Sequence, residues 1–156
     1  MERYAPMLRQ VAESAGLPSV KRLAAQPGMK AVYRVTAHYP DFHACDSVAT
    51  LICFVTGEPS LEAIYSGHFN HKPLKRRLND IAVQGFTRVM SKAGFDKLAD
   101  QKEAFNPSAG VCMVERGAGR FVKSVIFCIQ SREWAHAHIL DAVQIYMPEA
   151  LREIVT

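Results

Sequence analysis

The spacing of apolar residues along the chain changes from a helical period to a period of two and back again. From Tyr4 to Ala15, apolar side chains recur at intervals of three to four residues, and Gly16 follows as a stop signal. A second, shorter helix is predicted from Ser19 to Gln26, before Pro27 and Gly28. The chain is therefore expected to open with two short helices.

The period changes to two after this break. Alternation of apolar and polar residues predicts a strand with one apolar side and one side that faces water. The residues on the apolar side are Ala31, Tyr33, Val35 and Ala37. The residues on the side that faces water are Lys30, Arg34, Thr36 and His38. The segment from Val48 to Val55 is apolar on both faces, which is typical of a central strand. A third strand is predicted from Leu61 to Tyr65, with a helical turn as the alternative.

Helical spacing returns in the longest apolar pattern of the sequence. It predicts a helix from Lys72 to Ala93, with Pro73 near its start and Gly94 after its end. The side chains expected on its buried face are Leu74, Leu78, Ile81, Ala82, Phe86, Val89 and Met90.

Two more strands and a final helix complete the pattern. The segments from Val111 to Glu115 and from Arg120 to Ile129 flank a glycine-rich turn at 117–119, which predicts a β-hairpin. A last helix is predicted from Ser131, as its N-cap, to Tyr146.

The resulting element order, α-α-β-β-β-α-β-β-α, predicts an α+β fold. Sequential strands with short connections favour an antiparallel sheet of about five strands, with helices packed on one face. A length of 156 residues, with no repeat and no linker, is typical of a single domain spanning residues 1–156. The element order is similar to that of type III secretion chaperones.

Composition and charge narrow the function. Hydrophobic residues make up 49% of the chain and charged residues 22%, which excludes a disordered polymer. The formal net charge is +4, and the surplus lies in residues 66–92, which hold six basic residues against the single acid Asp80. Such a cluster attracts phosphates or acidic protein surfaces.

The leading hypothesis is a non-enzymatic binding protein that presents this basic helix to an acidic protein or a nucleic acid. The candidate partner-binding residues are Lys72, Lys75, Arg76, Arg77, Arg88 and Lys92. A solvated outer face that keeps the protein in solution is the alternative interpretation of the same charges.

Other sequence features favour a cytoplasmic protein without a cofactor. No run approaches the roughly 18 apolar residues that span a bilayer, and no apolar signal-peptide core opens the chain. The four cysteines include no C-x-x-C pair and are expected to be reduced thiols. Phosphate-loop, dinucleotide, zinc-protease and serine-hydrolase motifs are missing from the sequence, which favours a non-enzyme.

A metal-dependent or cysteine enzyme is the second hypothesis. His38, His43 and Cys45 lie in one predicted loop and offer the nitrogen and sulfur ligands that zinc prefers. Cys45 is also a candidate nucleophile, although neighbouring Asp41 and Asp46 would disfavour its thiolate.

The third hypothesis is that the protein assembles with copies of itself. A homo-oligomeric or chaperone-like protein would use its sheet or terminal helix as a self-interface, with a homodimer as its simplest form.

The segment from Leu8 to Val20 resembles the opening of a DNA-binding helix-turn-helix in Ala12, Gly16 and Leu17. Arg22 departs from that pattern, so a helical hairpin packed on the sheet is the expected structure.

Overall fold

A computed structural model of the protein describes residues 2–40, 46–66, 73–102 and 109–151. In these ranges, six strands form one sheet: β1 (Met29–His38), β2 (Ser47–Phe54), β3 (Ser60–Tyr65), β4 (Leu74–Arg77), β5 (Val111–Ala118) and β6 (Phe121–Cys128). Their lateral order is β4-β3-β2-β1-β5-β6, and every neighbouring pair is antiparallel. The predicted α+β class with an antiparallel sheet is confirmed, with six strands where about five were expected.

Among the described residues, four α-helices accompany the sheet: α1 (Ala5–Ser14), α2 (Val20–Ala24), α3 (Asp80–Lys92) and α4 (Trp134–Tyr146). Short 3₁₀ turns follow α3 at Phe95–Lys97 and α4 at Pro148–Ala150. Apart from β4, the predicted order of elements is the observed one. Within the described ranges, no helix has the length and apolar character needed to cross a bilayer.

The prediction of one long helix from Lys72 to Ala93 is wrong in its first part. Residues 74–77 form strand β4, which pairs with β3 through registers such as Glu62 with Lys75. The helix begins only at Asp80, because the side-chain oxygen of Asn79 accepts a hydrogen bond from the Ala82 backbone N–H at 2.7 Å and caps α3. Helical spacing of Leu74 and Leu78 was therefore not evidence of a helix here.

The larger core lies on the face of the sheet that α3 and α4 cover. Phe86 of α3 is fully buried and meets the Tyr33 ring edge to face, with 5.2 Å between the ring centroids. Ile139 and Val143 of α4 are also fully buried in this cluster. The sheet contributes the alternate positions that point to this face, among them Val35, Leu51, Leu61, Val114 and Phe127.

The other face of the sheet is covered by α1 and α2, so the expectation that helices pack on one face is wrong. Leu8 of α1 packs against Met113 and Ile126, and Val20 of α2 packs against Val32. The two helices thus form a hairpin on the sheet, as the departure from the helix-turn-helix pattern indicated. The sheet lies between two helical layers at β1, β5 and β6.

This second layer also changes the prediction for β1. The side expected to face water carries Arg34 and Thr36, which are buried, with exposed fractions of 2% and 0%. Alternation correctly predicted a strand, but Arg34 and Thr36 do not face solvent because the α1–α2 hairpin covers them, whereas Lys30 is exposed as expected.

Candidate functional site

The basic residues predicted to lie on one helix are divided between a strand and a helix. Lys75, Arg76 and Arg77 lie on β4, at the edge of the sheet, whereas Arg88 and Lys92 lie on α3. Lys72 lies outside the described residues. Because side chains alternate along a strand, consecutive residues of β4 point to opposite faces of the sheet.

Each basic side chain of β4 has an acidic neighbour. Lys75 Nζ lies 3.8 Å from Glu62 Oε2, and Arg77 Nη1 lies 3.5 Å from Glu58 Oε2. In both pairs the basic side chain is largely exposed, so each contact is worth little and is easily exchanged. These pairs reduce the positive field of β4 without locking the side chains.

Arg76 makes the strongest of these contacts. Its Nε donates a hydrogen bond to Glu149 Oε2 at 2.5 Å, and its Nη2 donates to Glu149 Oε1 at 3.1 Å and to the Tyr146 carbonyl oxygen at 2.9 Å. Burial acts to raise the pKa of Glu149, but the hydrogen bond from Arg76, a backbone hydrogen bond and the Arg76 charge together lower it. Arg76 therefore fastens the edge strand to the end of α4.

Replacing Arg76 by Gln should lower the free energy of unfolding by about 1 kcal/mol at neutral pH. Because Arg76 lowers the pKa of Glu149, this stabilisation is present above the ordinary glutamate pKa of 4.5 and is lost as the pH falls through the lower folded value. Urea unfolding of both proteins at pH 7 and near pH 3 measures the difference. The Arg77→Gln variant, which loses one exposed contact, is the control and should unfold like the wild type. An Arg76→Gln loss that is the same at both pH values would contradict the assignment.

An apolar groove of about 600 Å³ lies beside β4, between the strand, the start of α3 and the end of α4. Leu74, Ala82, Ile145 and Pro148 contribute to its lining. Leu74 is 55% exposed and Ile145 is 70% exposed. Exposed aliphatic side chains around a groove are typical of an interaction site.

The exposed side of α3 extends from this groove. Ile81, in the first turn of α3, is 80% exposed, and Arg88 and Lys92 follow it at spacings of seven and eleven residues, on the same side of the helix. The sequence pattern placed Leu74 and Ile81 on a buried face, and that prediction is wrong. Ile145 received no role from the sequence, because an apolar residue in an apolar helix carries no sign of its exposure.

The docking surface consists of exposed residues of β4, α3 and the end of α4. They are Leu74, Lys75, Ile81, Arg88, Lys92 and Ile145. Arg77 is not part of it, because it does not contribute to the lining of the groove. Within the described part of the chain, the docking surface combines three large exposed aliphatic side chains with three exposed basic ones. It can therefore offer both apolar contact and positive charge to a partner.

The predicted metal and cysteine site lies mostly outside the described residues. His43 and Cys45 fall there, as does Asp41. His38 is described, and its Nδ1 lies 2.8 Å from Asp46 Oδ1. Among the residues with described positions, no group of three metal-ligating side chains converges.

His136 has the most elaborate contacts of the described histidines. Its Nδ1 lies 2.8 Å from Glu133 Oε2 and 3.2 Å from Ser131 Oγ, and its ring stacks on Phe127. A catalytic triad requires the acid and the serine on opposite ring nitrogens, whereas both meet the same nitrogen here. His136 therefore fastens the start of α4 to the sheet.

Cys53 and Cys112, which the structure describes, also lack the features of a nucleophile. Burial raises the pKa of Cys53 to about 11 and raises that of Cys112 well above its ordinary value. A reactive cysteine requires the opposite shift.

The sequence matches no protein-family model and no curated protein.

Proposed function

We propose that the protein is a non-enzymatic binding protein that docks an acidic segment of a partner protein on its docking surface. The observation that carries the proposal is the groove beside β4, where Leu74 and Ile145 are exposed beside Lys75, while Arg88 and Lys92 are exposed further along α3. Large aliphatic side chains this exposed in one region leave apolar area in contact with water, and a partner that covers them gains free energy.

The charge around the groove favours an acidic partner. Lys75 holds its acidic neighbour Glu62 only through an exposed contact of 3.8 Å, so an incoming carboxylate can replace Glu62 at little cost. No acidic side chain forms an ion pair with Arg88 or Lys92 among the described residues. Three basic groups are therefore available to steer and hold an acidic segment.

The apolar part of the surface favours a protein over a nucleic acid. Its exposed anchors are Leu74, Ile81 and Ile145, which are aliphatic. Proteins that bind single strands use aromatic side chains on which the bases stack. Aliphatic anchors bordered by basic residues instead suit a segment that alternates apolar and acidic side chains.

Affinity capture from the native cell, followed by binding measurements with the captured protein after its purification, tests this proposal. The Arg88→Glu/Lys92→Glu variant should weaken binding by about tenfold or more at physiological salt, because it replaces two attractive charges by two repulsive ones. The Leu74→Ser/Ile145→Ser variant should weaken it by about tenfold through the loss of apolar contact. Wild-type affinity should fall as salt is raised.

A matched control separates a local effect from one of total charge. The Arg22→Glu/Arg120→Glu variant makes the same change in net charge at two exposed positions away from the docking surface and should bind like the wild type. Equal weakening by both charge reversals would refute the docking surface. Capture that a nuclease abolishes, or capture only of further copies of this chain, would also refute the proposal.

A further inference from the structure

A second cavity lies on the face of the sheet that α1 and α2 cover. It has a volume of about 430 Å³ and is enclosed by the two helices and by strands β1, β5 and β6. This volume falls in the range of small-molecule sites. The cavity is separate from the docking surface and shares no residue with it.

Arg34 of β1 lines this cavity and is 2% exposed. Its Nε donates a hydrogen bond to Thr50 Oγ1 at 3.0 Å, and its Nη1 donates to the Pro18 carbonyl oxygen at 2.8 Å. Nη2 is buried and has no hydrogen-bond partner among the described residues. A buried guanidinium with an unsatisfied amino group is costly and calls for an acceptor.

An acidic side chain stands next to Arg34 on the floor of the cavity. Glu115 of β5 is the direct register partner of Arg34, and Ser124 of β6 is the register partner of Glu115. Glu115 and Arg34 form no direct ion pair in the described structure. Burial raises the pKa of Glu115, against the opposing charges of Arg34 and Arg9. The floor therefore presents a buried donor and a half-buried acceptor that do not satisfy each other.

The remaining lining sets the size and charge of a ligand. Arg9, Lys21 and Arg34 carry positive charge, whereas Glu13 and Glu115 carry negative charge. Because these positive and negative charges nearly cancel, the cavity suits a molecule with one anionic group and disfavours the binding of a polyphosphate. Leu17 and Val122 contribute apolar area to the wall.

We propose that this cavity binds a small amino acid or hydroxy acid, with its carboxylate on Arg34 and its amine or hydroxyl group on Glu115. The carboxylate accepts a hydrogen bond from the guanidinium, and the neighbouring donor reaches Glu115 and Ser124. An aliphatic side chain of the ligand lies against Leu17 and Val122. Such a ligand satisfies the Arg34 guanidinium and the Glu115 carboxylate at once, which neither a simple amine nor a simple carboxylate can do.

Four matched probes test the chemistry of the site. They are L-leucine, its hydroxy analogue 2-hydroxy-4-methylpentanoate, the analogue without the donor (4-methylpentanoate) and the analogue without the carboxylate (3-methylbutylamine). Calorimetry and ligand-observed NMR on the intact chain measure their binding, together with inorganic phosphate and the other apolar L-amino acids. An amino or hydroxy acid should bind with a Kd below about 1 mM and at least about tenfold more tightly than its two truncated analogues.

Two variants locate the binding. Val122→Trp fills the mouth of the cavity and should weaken binding about tenfold or more, whereas Val55→Trp, at a more exposed valine just after β2, should not. Glu115→Gln should weaken the binding of amino acids more than it weakens the binding of 4-methylpentanoate. Glu62→Gln, in the same cross-strand row but outside the cavity, is its control.

Several outcomes would overturn this site. Failure of every amino and hydroxy acid to bind at about 1 mM would do so, as would equal binding in Val122→Trp and Val55→Trp. Tight binding of phosphate with no binding of the acids would show that the donor on the ligand has no role. Because all four substitutions leave Arg34 in place, these results do not depend on whether an Arg34 variant folds.

Discussion

The Arg34→Met variant should unfold with a free energy about 2–4 kcal/mol below that of the wild type at neutral pH. Methionine can fill most of the space of the arginine stem, but it cannot donate hydrogen bonds to Thr50 and to the Pro18 carbonyl oxygen. The second of these contacts fixes the loop between α1 and α2. The variant also leaves Glu115 without the positive charge that faces it across β1 and β5.

The loss of unfolding free energy in the Arg34→Met variant should depend on pH. Burial already raises the pKa of Glu115 above the ordinary value of 4.5, and removal of Arg34 should raise it further. A carboxyl group with a raised folded pKa costs stability progressively as the pH rises from the ordinary value to the raised one, so the penalty is greatest at neutral pH and shrinks as the pH falls toward 4.5. Urea unfolding of the variant and the wild type at matched pH values measures this dependence.

A double-variant cycle tests the assigned cause. If an isolated Glu115 charge contributes to the loss, then Arg34→Met/Glu115→Gln should be more stable at neutral pH than the sum of the two single effects predicts. The Glu62→Gln change combined with Arg34→Met is the control. Strict additivity, together with a loss that does not change with pH, would show that Arg34 and Glu115 are energetically independent.

The local parts of the fold follow from the sequence. Periodicity alone predicted β1, β2 and the hairpin of β5 and β6, and it placed α1 and α4 to within about three residues. In these elements the apolar repeat and the observed structure agree because each contributes one face to a buried core. Of the residues predicted to form the turn at 117–119, only Gly119 lies in it, with a positive φ of 60°, whereas Gly117 and Ala118 belong to β5.

Strand β4 could not be predicted from its own residues. Its sequence, with Pro73 before it and Leu74 and Leu78 at helical spacing, is locally compatible with the first turns of a helix. Pairing with β3 and the cap supplied by Asn79 decide otherwise, and both depend on residues outside the segment. The basic residues themselves were identified from composition, but their division between a strand and a helix was not.

Arg34 shows a second limit of the pattern. A polar residue that alternates with apolar ones indicates a strand face in water, because most antiparallel sheets are open on one side. Here the α1–α2 hairpin covers that side, so the same polar residue becomes a buried charge in a cavity wall. The signal for a second layer was present in the apolar face of α1, which needed a surface on which to pack. Sequence reasoning assigned that surface to the wrong side of the sheet.

The position of α2 depends on a glycine that the sequence assigned only to a turn. Gly117 lies on β5 beneath α2, and a Cβ atom there would lie 2.7 Å from Val20 Cγ1, 2.9 Å from Ala24 Cβ and 3.3 Å from the Val20 carbonyl oxygen. The last of these contacts is to backbone, so rotation of the Val20 side chain cannot relieve it. A larger residue at this position must move the helix away from the sheet.

The Gly117→Val variant should therefore lose about 2–3 kcal/mol of unfolding free energy, because α2 cannot keep its contacts with Val32. It should also weaken ligand binding in the cavity, since α2 forms one of its walls. Ala118→Val adds the same branched side chain to the opposite face of β5 and should have a small effect. The Val20→Ala change removes Val20 Cγ1, the atom nearest to the added Cβ. Gly117→Ala combined with Val20→Ala should therefore lose less unfolding free energy than the sum of the losses in the two single variants. Thermal and urea unfolding of the five variants measure these effects, and equal stabilities of Gly117→Val and Ala118→Val would refute the close packing of α2 on β5.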